Sequence, residues 1–247
     1  MNRNHTKKAK YIIALLTTLL VACVFSAQVF AAEWSDTLNK IKTYKFGDSR
    51  EPLSVIEDYV VSTSGDAQKR EQLEQDFAKL LRDKNTSLDC KDFICRQLWV
   101  IGTGESVSAL ENMLTDAEMS DMARYALERN TTPEAAKTLR NALKKAEGMQ
   151  LIGIVNSLGE KRDTESTDSI CGLVFAWEIE VKEDDENKKK TKERENEMLS
   201  LAAINALGKI GGEKAMSTLA EARRKGTPRI NQAAAAAILT ATDNLSK

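Results

Sequence analysis

The sequence predicts an all-α protein, a right-handed solenoid of stacked helical hairpins, and three observations predict it. First, a unit of about 30 residues recurs. Blocks at 98–110, 127–139, 158–170 and 207–219 open on Leu98, Leu127, Leu158 and Leu207 and close on Leu110, Leu139, Ile170 and Leu219. The closing residues stand 29, 31 and 49 positions apart. The long gap spans a charged stretch at about 178–197, and removing about 18 residues there restores the period. Second, apolar residues recur at helical spacing, and no segment alternates with the β-branched enrichment of a strand. Third, the only prolines, Pro52, Pro133 and Pro228, follow Glu51, Thr132 and Thr227 where helices would start. A proline suits the first helical turn because its missing donor has no partner there in any case.

Three helices are expected ahead of the repeats, over residues 34–44, 52–62 and 66–83. In the last, Leu73, Phe77, Leu80 and Leu81 share one face, and Ser64-Gly65-Asp66 reads as a stop followed by an Asp cap. Phe93, Ile94, Leu98 and Ile101 form the stripe of the next helix, which should end at Gly102-Thr103-Gly104. Val107, Leu110, Met113 and Leu114 form its partner. Helices over 119–129 and 133–145 follow, with Thr132 as the expected cap of the second. The third pair, 149–158 and 164–177, is expected to split at Gly159. The fourth, 198–207 and 213–224, should split at Gly208 and Gly211-Gly212. A helix over 228–241 with the run from Ala233 to Ala237 closes the array. The stretch 182–197 carries seven acids and six bases. Its acid-before-base spacing at Asp184/Lys188, Asp185/Lys189 and Glu186/Lys190 favours a solvated helix over a loop.

Residues 1–31 read as a secretory signal: Lys7, Lys8 and Lys10, then an apolar run from Tyr11 to Val24, then Val29-Phe30-Ala31 before cleavage at Ala31 or Ala32. The protein is therefore expected in the periplasm or outside the cell. Leu20-Val21-Ala22-Cys23 also matches a lipobox, which would tether the chain through Cys23; membrane contact is expected only in that case. Residues 32–88 form an N-terminal helical segment capping the solenoid, and 89–247 form the repeat domain.

Loss of residues 1–31 removes Arg3, Lys7, Lys8 and Lys10 and no acid, leaving 32 bases against 37 acids and a formal charge of −5. Mild acidity argues against nucleic acid as a partner. The only histidine, His5, leaves with the signal. Its loss excludes Ser-His-Asp and Cys-His nucleophile systems and nearly all catalytic zinc sites. Cys90, Cys95 and Cys171 make an odd set. On one helix, Cys90 and Cys95 would face about 140° apart, so buried thiols are expected in place of a bridge. Glu183 to Glu186 lacks the glycine and oxygen spacing of a calcium loop and reads as charged surface. No cofactor and no metal are expected.

The segments Phe93-Ile94-Cys95-Arg96-Gln97-Leu98-Trp99-Val100-Ile101-Gly102-Thr103, Met122-Ala123-Arg124-Tyr125-Ala126-Leu127-Glu128 and Ala206-Leu207-Gly208-Lys209-Ile210-Gly211-Gly212 resemble short HEAT repeats of the phycobilisome-lyase type. In their order they resemble exported bacterial HEAT-repeat proteins. The resemblance covers about 89–244 and implies a HEAT-like scaffold for protein contacts; the lyase members act on bilins.

Candidate binding residues are Arg96, Trp99, Arg124, Tyr125 and Arg162. Asp92/Arg96 and Asp121/Arg124 occupy corresponding helices and, with Arg162, would make an ion-pair ladder setting repeat register. Trp99, Tyr125 and Trp177 are core or groove-wall aromatics, a groove aromatic being a plausible anchor. No catalytic residue is nominated. The function expected is a non-enzymatic protein-interaction scaffold or accessory subunit whose partner is another protein. The alternatives are a bilin-lyase-like enzyme or enzyme subunit using Cys95 or Cys171, and a lipid-anchored envelope scaffold.

Overall fold

The computed structural model describes residue 28 and residues 31–245. Cys23 and nearly all of the expected signal lie outside the described residues. Helix α1 covers residues 31–42. It is followed by α2 (Glu51–Ser62), α3 (Ala67–Arg82), α4 (Leu88–Ile101), α5 (Gly104–Glu111), α6 (Ser120–Arg129) and α7 (Pro133–Leu143). Then come α8 (Gly148–Glu160), α9 (Thr167–Leu173), α10 (Glu186–Ile210), α11 (Glu213–Lys225) and α12 (Pro228–Leu245). No strand occurs among the described residues.

The helices stack in two layers. One runs α2, α4, α6, α8, α10, α12, each helix packed on the next; the other runs through α3, α5 and α7 to α9 and α11. Each hairpin contributes one helix to each layer, so the protein is an all-α solenoid of stacked helical hairpins. The repeat ladder is the reason. Leu98, Leu127, Leu158 and Leu207 are at most 1% exposed, as are Leu110, Leu139, Ile170 and Leu219. The first four fill the first layer and the second four fill the other, so each hairpin's core is completed by its neighbours.

Local signals place most boundaries. Gly65 takes φ +79° and Asp66 caps α3, its side chain accepting from the Lys69 amide. Ser87 caps α4 through the Cys90 amide. Gly211 and Gly212 take φ of +73° and +88° to turn the chain between α10 and α11. Asp185 accepts from the amides of Asn187 and Lys188. It therefore spends its carboxylate on capping α10 and not on the expected Lys189 pair. The charged stretch is helical from Glu186 and continuous with the repeat helix, making α10, at 25 residues, the longest helix among the described residues.

Four expectations are corrected. Gly159 and Gly208 do not stop helices; both lie inside α8 and α10. A Cβ on Gly159 would sit 2.7 Å from the Ala206 Cα, and one on Gly208 2.9 Å from the Ala237 Cα. The two glycines let α8 approach α10 and α10 approach α12. Thr132 stands at the N-cap of α7 as expected but makes no capping bond with its side chain; its hydroxyl donates to Asn130 Oδ1 instead. The expected helix over 164–177 is a short α9 between two 3₁₀ turns, Thr164–Ser166 and Ala176–Glu178. α9 ends at Leu173, and in the second 3₁₀ turn the Trp177 amide donates to Ser200 Oγ of α10 at 3.0 Å.

Candidate functional site

The outer face of the first layer carries three adjoining clefts. The first, about 410 Å³, lies over α2 and α4 among Tyr44, Phe46, Arg50, Glu57, Asp89 and Asp92. The second, about 320 Å³, lies between α4 and α6 and is lined by Asp92, Arg96, Glu118, Asp121, Met122 and Tyr125. The third, about 220 Å³, lies between α6 and α8, with Asp121, Arg124, Met149 and Gly153 in its wall. Asp92 and Arg96 border the first two and Asp121 the last two. The clefts therefore form one groove crossing four helices.

Helical spacing aims the lining residues outward. Asp92 and Arg96 are one turn apart on α4, bonded through Arg96 Nε at 2.8 Å. That hydrogen bond, reinforced by the charge of Asp92, raises the Arg96 pKa. Trp99 lies on the same stripe and stacks on Tyr125 of α6, ring centroids 5.5 Å apart and 14° from parallel. The guanidinium of Arg129 covers Trp99 at 4.4 Å from its centroid. Tyr125 remains 41% exposed. Phe46 and Met149, at the two ends of the groove, are 93% and 56% exposed. The Phe46 turn is fixed: its amide donates to Asp89 Oδ2, and the Lys45 amide donates to Asp48 Oδ2.

Of the five binding candidates, the structure brings Arg96 and Tyr125 together in this groove, with Trp99 stacked on Tyr125 behind its lining. Arg124 is directed inward. Its guanidinium pairs with Asp121 and donates to the Gly153 carbonyl and Ser157 Oγ of α8, each at 3.2 Å. A Cβ on Gly153 would lie 2.4 Å from the Arg124 Cζ, so a side chain there would have to displace this guanidinium. Arg124 is a clamp between hairpins. Arg162 stands apart, exposed in the turn after α8, and makes no ion pair among the described residues. The expected three-membered ladder is therefore not formed.

Register is held on the turn side by residues the sequence reading missed. Glu74 of α3, fully buried, accepts the Thr103 amide at 2.8 Å. Asn130, 3% exposed, donates to the Thr103 carbonyl at 2.7 Å and accepts from the Thr132 amide and hydroxyl. Lys161 donates to the carbonyls of Leu127, Glu128 and Asn130, closing the C-terminal end of α6. Burial lowers its pKa against the opposing pull of Asp163 and Glu128. Successive turns are thus bonded across α3 to α8. The signal available was a polar residue just past the end of each first-layer helix: Asn130 and Lys161 stand three residues after Leu127 and Leu158, and Thr103 five after Leu98.

The cysteines are poor nucleophiles where they are buried. Cys90 and Cys95 are unpaired and fully buried. Burial pushes the Cys90 thiol up to about 12 and the Cys95 thiol higher still. Cys171 is half-buried, and the Thr218 hydroxyl lies 3.3 Å from its sulfur. Among the described residues no group of three or more Cys, His, Asp or Glu is arranged to hold a metal ion. No described helix is long and apolar enough to cross a membrane.

No family model matches the chain, and no curated protein matches it. Among solved structures it matches human deoxyhypusine hydroxylase in complex with glycerol. The two are 11% identical with a TM-score of 0.38, over 88% of this chain and 99% of that one. That protein is an enzyme. The expectation of a non-enzymatic chain is corrected on this finding. At so low an identity and TM-score the likeness assigns no residue a role.

Proposed function

We propose that this protein recognises an extended segment of another polypeptide in the groove over α2, α4, α6 and α8. The observation that carries the reading is the continuity of the three clefts, with Phe46, Tyr125 and Met149 left exposed along them. Large apolar side chains held on fixed backbone beside a cleft are the usual anchors of a recognition surface. Neighbouring helices lie about 8–10 Å apart, so four span about 25–30 Å. An extended chain rises about 3.3 Å per residue, so the groove holds roughly eight residues. Backbone groups of such a segment would meet Gln97, Gln150 and Asn156, and its side chains would enter the clefts.

The finer resemblance, to short HEAT repeats of exported bacterial proteins, belongs to the same proposal. Residues 1–31 support export by their basic start and apolar run, with Cys23 as the alternative lipid anchor.

The test is a display of random twelve-residue peptides on the purified protein, with Phe46→Asp as the variant. Phe46 lies almost wholly outside the core, so the melt should not change. Peptides retained by the parent should bind the variant at least tenfold more weakly. Equal retention by both proteins, or no retention by the parent, rejects the groove. Mass analysis of the bound peptides shows in the same experiment whether they are also altered.

A further inference from the structure

The cleft between α4 and α6 differs from its neighbours in what it offers a ligand. Its walls are the aliphatic chain of Met122 and the ring of Tyr125, and its rim carries three carboxylates, Asp92, Glu118 and Asp121, against one guanidinium, Arg96. Arg96 is taken up by Asp92, and Asp121 by Arg124. Glu118 is left over. It stands in the turn before α6, exposed, and among the described residues no cation lies within ion-pairing distance of its carboxylate. Asp89, across Asp92 in the adjoining cleft, likewise has no cation beside it and accepts only the Phe46 amide. Among the residues lining the clefts, the groove thus presents two uncompensated carboxylates about its middle cleft and no uncompensated cation, since Arg50 pairs with Glu57; Arg129, which has no ion pair among the described residues, lies outside that lining over Trp99.

We propose that the cleft lined by Asp92, Glu118, Met122 and Tyr125 is a subsite for an arginine or lysine side chain of the bound segment. The proposal rests on the groove being a polypeptide-binding surface. Long cationic side chains pack their methylenes on apolar surface and keep the charged head among polar groups. Here Met122 and Tyr125 would cover the stem, and Glu118 and the outer oxygen of Asp92 would meet the head. A guanidinium fits better than an ammonium, because it stacks on aromatic rings and donates to two carboxylates at once. A neutral or acidic side chain at this point would leave Glu118 uncompensated.

The experiment uses the purified protein and two fluorescein-labelled pools of random twelve-residue peptides, one with a central arginine and one with citrulline there. Citrulline keeps the shape and removes the charge. The arginine pool should bind about tenfold more tightly at low salt, and the ratio should shrink as salt rises. Glu118→Gln should cut that ratio about threefold, whereas Glu134→Gln, on α7 in the other layer, should leave it unchanged. Equal binding of both pools, or a ratio insensitive to Glu118→Gln, overturns the cationic subsite and leaves the groove standing. Failure of both pools to bind overturns the groove reading itself, and this subsite with it.

Discussion

Arg162 shows how a single residue carries strain that the fold tolerates. It takes φ +50°, the only positive φ outside glycine among the described residues. Its amide donates to the Gly159 carbonyl and the Asp163 amide to the Leu158 carbonyl. These are the two bonds of a Schellman motif, whose left-handed position glycine normally fills. A side chain there costs about 1 kcal/mol or more. The side chain of Arg162 has no hydrogen bond or ion pair among the described residues to offset that cost. Arg162→Gly should therefore stabilise the protein by about 1 kcal/mol, raising Tm by about 2–4 °C in thermal unfolding. An unchanged or lower Tm would show that the side chain contributes in some other way. Nothing along the chain marks this position, because a left-handed turn is usually signalled by a glycine. The sequence pointed instead to Gly159, three residues too early.

At the scale of the element, the glycines inside α8 and α10 are packing residues. Gly159 faces Ala206 and Gly208 faces Ala237, so backbones meet with little between them. Reading them as helix stops was reasonable, since glycine is a poor helix former and a common terminator. What decided otherwise was a neighbour some 30 to 50 residues away in the chain. Gly159→Val would place methyls where Ala206 already stands, at a contact that a flexible tip cannot relieve. The expected cost is about 2 kcal/mol or more, read as a lower midpoint in denaturant with the slope unchanged. Asn130 teaches the same lesson with the opposite chemistry. In sequence it is one polar loop residue among several; in the fold it joins two turns and is nearly inaccessible. By contrast, the α4 stripe with Asp92, Arg96 and Trp99 was legible, because helical spacing alone puts these residues on one face. That Tyr125 would stack on Trp99 required the packing of α6 on α4.

The molecule as a whole is a one-dimensional stack, and its stability should behave as one. Leu207 of α10 is fully buried. Leu207→Asp would bury a carboxylate with no cation near it, at a cost of several kcal/mol. The prediction is loss of α10 to α12 with α2 to α7 retained, seen as a partial loss of helical circular dichroism and early hydrogen exchange in the C-terminal hairpins. A single cooperative melt coinciding with that of the parent would contradict the stack. The groove lies mainly over α2 to α6, so the peptide binding described above should weaken far less in this variant than in Phe46→Asp.

The sequence by itself determined the class of the protein and the positions of its core. A 30-residue period of leucines at helical spacing has one economical solution, in which each hairpin covers the next. It also determined which residues of α4 and α6 would face outward. Only the tertiary structure decided which of them stay outside. Arg124 turned inward because Gly153 on the next hairpin leaves it room, whereas Arg96 remained in the groove with Asp92. It likewise decided where register is held, on the turn side and not among the outward arginines. These outcomes depend on distances between segments a whole repeat apart, and the order of residues along one helix does not contain those distances.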